Sequence, residues 1–262
     1  MIRALMSAAS GMKAQQLQVD TIANNIANAN TSGFKKSELS FRALLYQTYR
    51  EPGAPTSANQ RDPVGLQIGS GTEVAGSAKI FAQGELEPTS SRYDLAIQGE
   101  GFFRVRLPSG DMRYTRDGTF HLDGSGAIVS SEGYPLDTAP TIPSDSVEVT
   151  IGDDGTVAVM STEGSAPQNV GTIKLFRFPN PTGLKAQGGN YLSETAASGA
   201  AQQADAGLAG TGILRQGYHE RSNVQVVDEL VGLIVAQRNY EVNSRAIRVS
   251  DEMLQQVNQM VR

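Results

Sequence analysis

The chain has 262 residues, room for one large domain or two modest ones with a real core. Its 22 Lys and Arg against 27 Asp and Glu leave a net charge of −5, which argues against nucleic acid or an anionic membrane as partner. With no cysteine there is no disulfide, thiol nucleophile or thiolate metal site, and 28 Gly with 6% aromatic residues point to many turns around a modest core.

The first residues, MIRALMSAASGMKAQQ, lack the apolar stretch of a secretory signal. No run approaches the ~18 apolar residues of a membrane span, so neither a cleaved leader nor membrane insertion is expected. Leu5, Met12, Val19 and Ile26 recur every seven residues, with Ile2, Ala9, Gln16 and Ala23 as a second row. This narrow seam predicts a helix of roughly 30 residues, ~45 Å long, with Gly33 as its stop.

Residues 47–71 hold three prolines and four glycines and read as a linker. From about 76 to 194 the period changes to two. Phe103, Val105 and Leu107 alternate, Asp117-Gly118 and Asp123-Gly124 mark turns, and residues 173–178 supply another strand. Val147, Val149 and Ile151, then Asp154-Gly155, then Val157 and Val159 read as a tight hairpin. Residues 195–212 are almost entirely small and read as a second linker.

At the C-terminus Val226, Leu233, Tyr240, Ile247, Leu254 and Val261 form an unbroken seven-residue row, with Asp228 and Glu229 in the early turns where the helix dipole favours acids. The row four residues on, with Gln237, Ser244, Asp251 and Asn258, is polar, so this seam is thin. Narrow stripes suit helix-on-helix packing, between the two ends or between copies. The fold class is therefore α+β. Long N- and C-terminal helices pack as a coiled-coil-like pair beside a central antiparallel β-rich domain. The expected divisions are 1–35 with 218–262 as a helical polymerisation domain, 36–75 as an extended linker or insert, and 76–217 as the β-rich domain.

Catalytic and metal patterns are weak. His121 and His219 are the only histidines and lie far apart. DGSGAIVSSEG (123–133) puts Ser125 and Ala127 where a calcium loop wants oxygen-rich ligands, and reads better as a turn. QGEGFF (98–103) is too short for a phosphate loop, and no G-x-S-x-G elbow occurs. No catalytic residue, metal or cofactor is expected.

Helix surface that a monomer has no use for is more informative. From Ala14 to Phe34 the only charge is Asp20, and Asn24, Asn25, Asn28 and Asn30 fall mostly off the seam. Each Asn costs about half a kcal/mol against Ala in a helix, and Gly11 nearly 1. Such a helix needs packing to form, and lateral amide contacts favour an assembly surface. A monomeric binding module built on the β domain is the competing class; it predicts helical ends already folded in dilute solution.

SAASGMKAQQLQVDTIANNIANANTSGFKK (7–36) closely resembles the N-terminal signature of the bacterial flagellar rod and hook family. The NNIAN-x-NT-x-GFK core covers Asn24, Asn25, Asn28, Asn30, Thr31, Gly33, Phe34 and Lys35. SNVQVVDELVGLIVAQRNYEVNSRAIRVSDEMLQQV (222–257) is similar to the matching C-terminal helix, and YDLAIQGEGFFRV (93–105) with YTRDGTFHLDGSGAIV (114–129) to the central β domain. YQTYREPGAP, with Tyr46, Gln47, Thr48, Pro52 and Gly53, resembles an insert of the distal rod branch that hook members lack. Proximal rod members are the nearest alternative, and Ala29 stands where the family has a bulkier residue.

The resemblance implies a structural subunit. Its copies would stack into a rigid hollow rod across the periplasm, transmit torque to the hook and conduct exported subunits. Its implied partners are further copies of itself, proximal rod proteins, the hook protein, the rod cap and, in a double-membraned cell, the P- and L-ring proteins. Export through the type III apparatus without signal cleavage is implied as well. In such a tube the charged face of the C-terminal helix, with Arg238, Arg245 and Arg248, is a candidate channel lining.

Overall fold

The computed structural model describes residues 2–52, 55–57, 60–61, 63–161 and 166–260. The chain forms two compact units: one holds Met1–Ile26, Ser37–Ala78 and Gln225–Arg262, the other Ala27–Lys36 and Lys79–Val224.

In the first unit α1 spans Ile2–Ala27 and α2 spans Val226–Met260. Neither an acid in its first turn nor a base in its last compensates the dipole of α1, so packing must hold it. The helices run antiparallel. As positions on α1 rise from 11 to 22 to 25, their partners on α2 fall from 243 to 232 to 229. A Cβ on Gly11 would lie 2.9 Å from Asn243 Nδ2, one on Gly232 3.4 Å from Ile22 Cδ1, and Asn25 Nδ2 donates to Glu229 Oε2 at 3.2 Å.

The face that α1 buries carries Ala8, Ala14, Ile22 and Asn25, and that of α2 carries Ala236 and Ser250. This differs from the expected rows. Leu5, Met12, Val19 and Ile26 are half-buried at the flank, while Ala9, Gln16 and Ala23 are exposed. On α2, Leu233, Ile247 and Leu254 are half-buried, but Val226 and Tyr240 are exposed. The second row lies three residues on, through Glu229, Ala236, Asn243 and Ser250, rather than four. Small side chains let the two backbones approach, which leaves the long ones beside the contact rather than in it. Val261 lies outside the described residues.

The described residues of the 47–71 stretch lie mostly in paired strands, a ribbon instead of a linker. Tyr46–Arg50 pairs antiparallel with Leu66–Gly69, and Ser37–Ala43 pairs with Thr72–Lys79. Three points tie the ribbon to α1. Asn25 brackets Ser37, accepting from its N–H at 2.9 Å and donating to its carbonyl at 3.0 Å. Ser10 Oγ accepts from Thr72 N–H at 3.2 Å, and the Arg3 guanidinium meets Tyr49 through its hydroxyl and its ring face. From Asn25 to Ser10 is about 22 Å of helix, the length of about seven strand residues. The Ser37–Ala43 strand thus returns along the helix it follows.

The second unit is antiparallel β. Phe103–Arg106, Met112–Thr115, Tyr191–Ser193 and Lys185–Gly188 form one sheet, and Leu95–Gln98 pairs with Ile213–Gln216. The predicted hairpin is present: Glu148–Ile151 pairs with Thr156–Met160 around Gly155 at φ +84°. Asp123 serves as a turn residue, its carboxylate accepting from Gly124 N–H and Ser125 Oγ. Within 195–212, Gln202–Asp205 is a strand paired with Lys174–Arg177. The inward positions of these strands meet in a core of Leu95, Ile97, Phe103, Phe120, Val157 and Leu175, with a second cluster around Phe102, Tyr114 and Phe176.

Candidate assembly surfaces and the docked signature

The NNIAN-x-NT-x-GFK stretch is divided between the units. In the helical unit, Asn24 is exposed but Asn25 is buried within the seam, so the amides are not uniformly off it. Asn25 satisfies both ends of its buried amide through Ser37 and Glu229, which is what makes its burial tolerable.

The remainder docks on the β unit. α1 ends at Ala27, short of Gly33, because the turn at Asn28–Thr31 diverts the chain: Thr31 N–H donates to Asn28 O at 3.2 Å and Thr31 Oγ1 to Asn28 Oδ1 at 3.3 Å. Asn30 is exposed, whereas Gly33, Phe34 and Lys35 are buried. Gly33 sits at φ +67°, and a Cβ there would lie 2.4 Å from Asp117 N, so no other residue fits without moving backbone. Its N–H donates to Glu220 O at 2.7 Å. Phe34 packs with Ala29 and Val224, a cluster in which the small Ala29 is buried. Lys36 N–H donates to Asn223 Oδ1 at 2.8 Å, and Asn223 Nδ2 donates to Ile80 O at 2.8 Å.

At the centre lies a buried ionic group. Lys35 Nζ donates to Glu220 Oε1 at 2.6 Å and to Ala82 O at 2.8 Å. Glu220 Oε1 also accepts from Gly84 N–H at 2.8 Å. Arg116 Nε stands 3.8 Å from Glu220 Oε2, and Arg116 Nη2 donates to Gly99 O at 2.7 Å. Burial lowers the Lys35 and Arg116 pKa values, while the Glu220 carboxylate works against it by favouring both charges. Lys35 was expected as a motif residue; Glu220 and Arg116 were not. Glu220 is 185 positions from Lys35, and a single acid in a strand carries no signal of burial.

The helical unit exposes large apolar side chains. On α2, Val227, Val231, Ile234, Val242 and Val249 follow one another at helical spacing, each between 49% and 73% exposed, with Arg238 and Arg245 in the same stripe. On the ribbon, Leu45 is 89% exposed, and Tyr46, Tyr49, Val64 and Leu66 are open as well. Large apolar side chains exposed in this number mark sites of association. Gln47, Thr48 and Pro52 are exposed, and Gly53 lies outside the described residues. The sequence reading missed both surfaces. The α2 residues fall between the heptad rows, and the ribbon's prolines and glycines mask its alternation. Among the described residues, no helix is long and apolar enough to cross a membrane, and no three His, Asp or Glu gather as metal ligands.

Family models match three parts of the chain: a flagella basal body rod protein model at 5–35, a flagellar hook protein FlgE/F/G D1 domain at 96–159, and a flagellar basal body rod FlgEFG protein C-terminal model at 215–260. The chain is 45% identical over 264 residues to the flagellar basal-body rod protein FlgG of Borreliella burgdorferi, covering 100% of both chains. It is 46% identical over 260 residues to FlgG of Caulobacter vibrioides, with 99% of each covered. It is also 39% identical over 262 residues to FlgG of Bacillus subtilis, with 98% of each covered. The chain belongs to the FlgG family of flagellar basal-body rod proteins.

Proposed function

We propose that the chain is the structural subunit of the flagellar distal rod, polymerising into a rigid hollow shaft that carries torque to the hook and lets exported subunits through. The observation that carries this is the apolar surface that a single copy leaves open, on α2 and on the ribbon. Copies meeting head to tail without closing generate an open helical polymer. Many thin seams, each marginal alone, then add up to a stiff assembly. Leu5, Met12, Val19 and Ile26 on α1, with Val226, Leu233, Tyr240, Ile247 and Leu254 on α2, flank the intramolecular contact and would pack against neighbouring copies. The ribbon, whose insert carries Tyr46, Gln47, Thr48 and Pro52, would be pinned between subunits and keep the rod straight.

The role is structural, with no catalysis or cofactor. The rod would span the periplasm. Its neighbours would be proximal rod proteins, the hook protein, the rod cap and the P- and L-ring proteins where present. The chain would leave through the type III apparatus with its ends unfolded, folding them at the growing tip.

Negative-stain electron microscopy of the purified protein, concentrated stepwise, tests this beside the double variant Val231→Asp/Val242→Asp. Straight hollow rods are expected from the natural chain and dispersed particles from the variant. Dispersed particles from the natural chain at every concentration, even when seeded with isolated basal bodies, would overturn the reading. A variant lacking residues 47–64 tests the ribbon's part: straight rods from it would remove the insert from the account.

A further inference from the structure

Glu220 is fully buried and faces two cations supplied by different stretches of chain. Lys35 comes from the docked signature, Arg116 from the loop after the Met112–Thr115 strand. One carboxylate therefore serves two positive charges, and the two are not equivalent. Withdraw Lys35, and Glu220 keeps both the Arg116 guanidinium and the Gly84 N–H. Withdraw the Glu220 charge, and two buried cations lose their common partner, the arrangement that costs most.

Other ties of the signature include Gly33 N–H to Glu220 O, Lys36 N–H to Asn223 Oδ1, Ile80 N–H to Lys36 O, Asn190 Nδ2 to Ser32 O at 2.8 Å and Lys79 Nζ to Lys35 O at 3.2 Å, with the Lys79 ammonium 4.9 Å over the Phe34 ring. Its apolar contacts form a small cluster of Ala29, Phe34 and Val224, separate from the core around Phe103 and Leu175.

We propose that residues 29–36 are a detachable clasp, docking on and releasing from the β unit while that unit stays folded, with Arg116 as the resident counter-ion that holds Glu220 when Lys35 leaves. A segment with its own small cluster and its own hydrogen bonds can open locally below the threshold of global unfolding. What a resident second cation adds is a folded state for the unit with the segment off. The clasp is a property of the single chain and does not depend on what the chain assembles with.

Hydrogen exchange read by mass spectrometry on the full chain in dilute solution tests it, following peptides over 29–36, 103–106 and 174–177. In the natural chain the 29–36 amides exchange faster than the two core strands. In Lys35→Met their exchange rises a further 10- to 100-fold or so, from the loss of charge-assisted hydrogen bonds, while the core strands stay within about twofold. In Glu220→Gln both regions accelerate. The clasp is refuted if Lys35→Met accelerates the core strands as much as 29–36, if it leaves 29–36 unchanged, or if it fails to fold, since Arg116 would then be insufficient. Exchange of 29–36 at the core's own rate in the natural chain refutes it too.

Discussion

In the β unit the side chains removed from water are large: Phe103 and Phe120 are 0% exposed and Phe176 is 1%. In the helix pair they are mostly small or polar: Ala14 at 2%, Ala236 at 2% and Asn25 at 2%, with Ile22 at 3% the one large aliphatic among them. Burial stabilises in proportion to apolar area, roughly 25 cal/mol per Å², so the two units differ in what a single copy gains by folding. The β unit is finished by its own residues. The helical unit keeps its large apolar side chains on the outside, where another surface has to supply the missing burial.

The sharpest way to break the comparison is to cut into each unit's largest buried side chain. Phe103→Ala should lower the stability of the β unit by about 3–5 kcal/mol, because Phe120 sits edge-on at 5.1 Å and cannot fill the hole. The change is read as a fall in the urea midpoint of near-ultraviolet circular dichroism. Ile22→Ala should act on far-ultraviolet helix signal alone, leaving that midpoint in place. Equal effects of the two variants on one transition would show that the chain unfolds as a single cooperative body.

Next in size is Gly33→Ala. Its φ of +67° and the 2.4 Å approach to Asp117 N leave no room for a methyl group. Backbone strain of this kind costs of order 1–3 kcal/mol. The loss should appear in the β unit's transition rather than in the helix signal, since Gly33 packs on residues 116–117. A loss confined to helix content would return Gly33 to the role of a helix stop.

That second role is where the sequence was legible only in part. Strand alternation exposed Phe103, Val105, Val157 and Val159, because a residue buried on one face of a sheet leaves a period of two. The seven-residue row on α2 was visible as a pattern for the same kind of reason, but Leu233, Ile247 and Leu254 are only half-buried beside the contact, and Val226 and Tyr240 are exposed. The companion row was not, because Glu229, Asn243 and Ser250 are polar, and polar residues carry no periodic signal even when a neighbouring helix covers them. The ribbon was hidden by composition, and Glu220 by sequence distance. The motif marked Lys35 as important without saying that its partner is a strand of the β unit.

Acid gives a smaller effect that belongs to the β unit. Burial alone would raise the pKa of Asp137, but hydrogen bonds from Arg106 and Arg104 outweigh it and hold the group below the usual carboxylate range. A depressed carboxylate contributes stability above its unfolded value, about 3.9, and loses it as pH falls through the folded value. Between pH 7 and pH 3 the natural chain should therefore lose more of its β-unit urea midpoint than Asp137→Asn does. A variant that lost as much would take Asp137 out of the acid response.

The smallest effect has the opposite sign. Gly232 lies inside α2, and a Cβ there would meet Ile22 Cδ1 at 3.4 Å, ordinary van der Waals contact. Gly232→Ala should then stabilise the helix pair by about 0.5–1 kcal/mol, from helix propensity alone. Gly11→Ala should gain less, because its Cβ would press on the Asn243 amide at 2.9 Å, a side-chain tip that has to turn aside. Thermal melts of the far-ultraviolet signal in dilute solution read both. If Gly232→Ala raises the helix midpoint and leaves the β unit's unchanged, the weakness of the helical unit lies in its own sequence. If it lowers the midpoint, the two helices pack more closely at Gly232 than a methyl group allows, and the close approach is what the glycine is for.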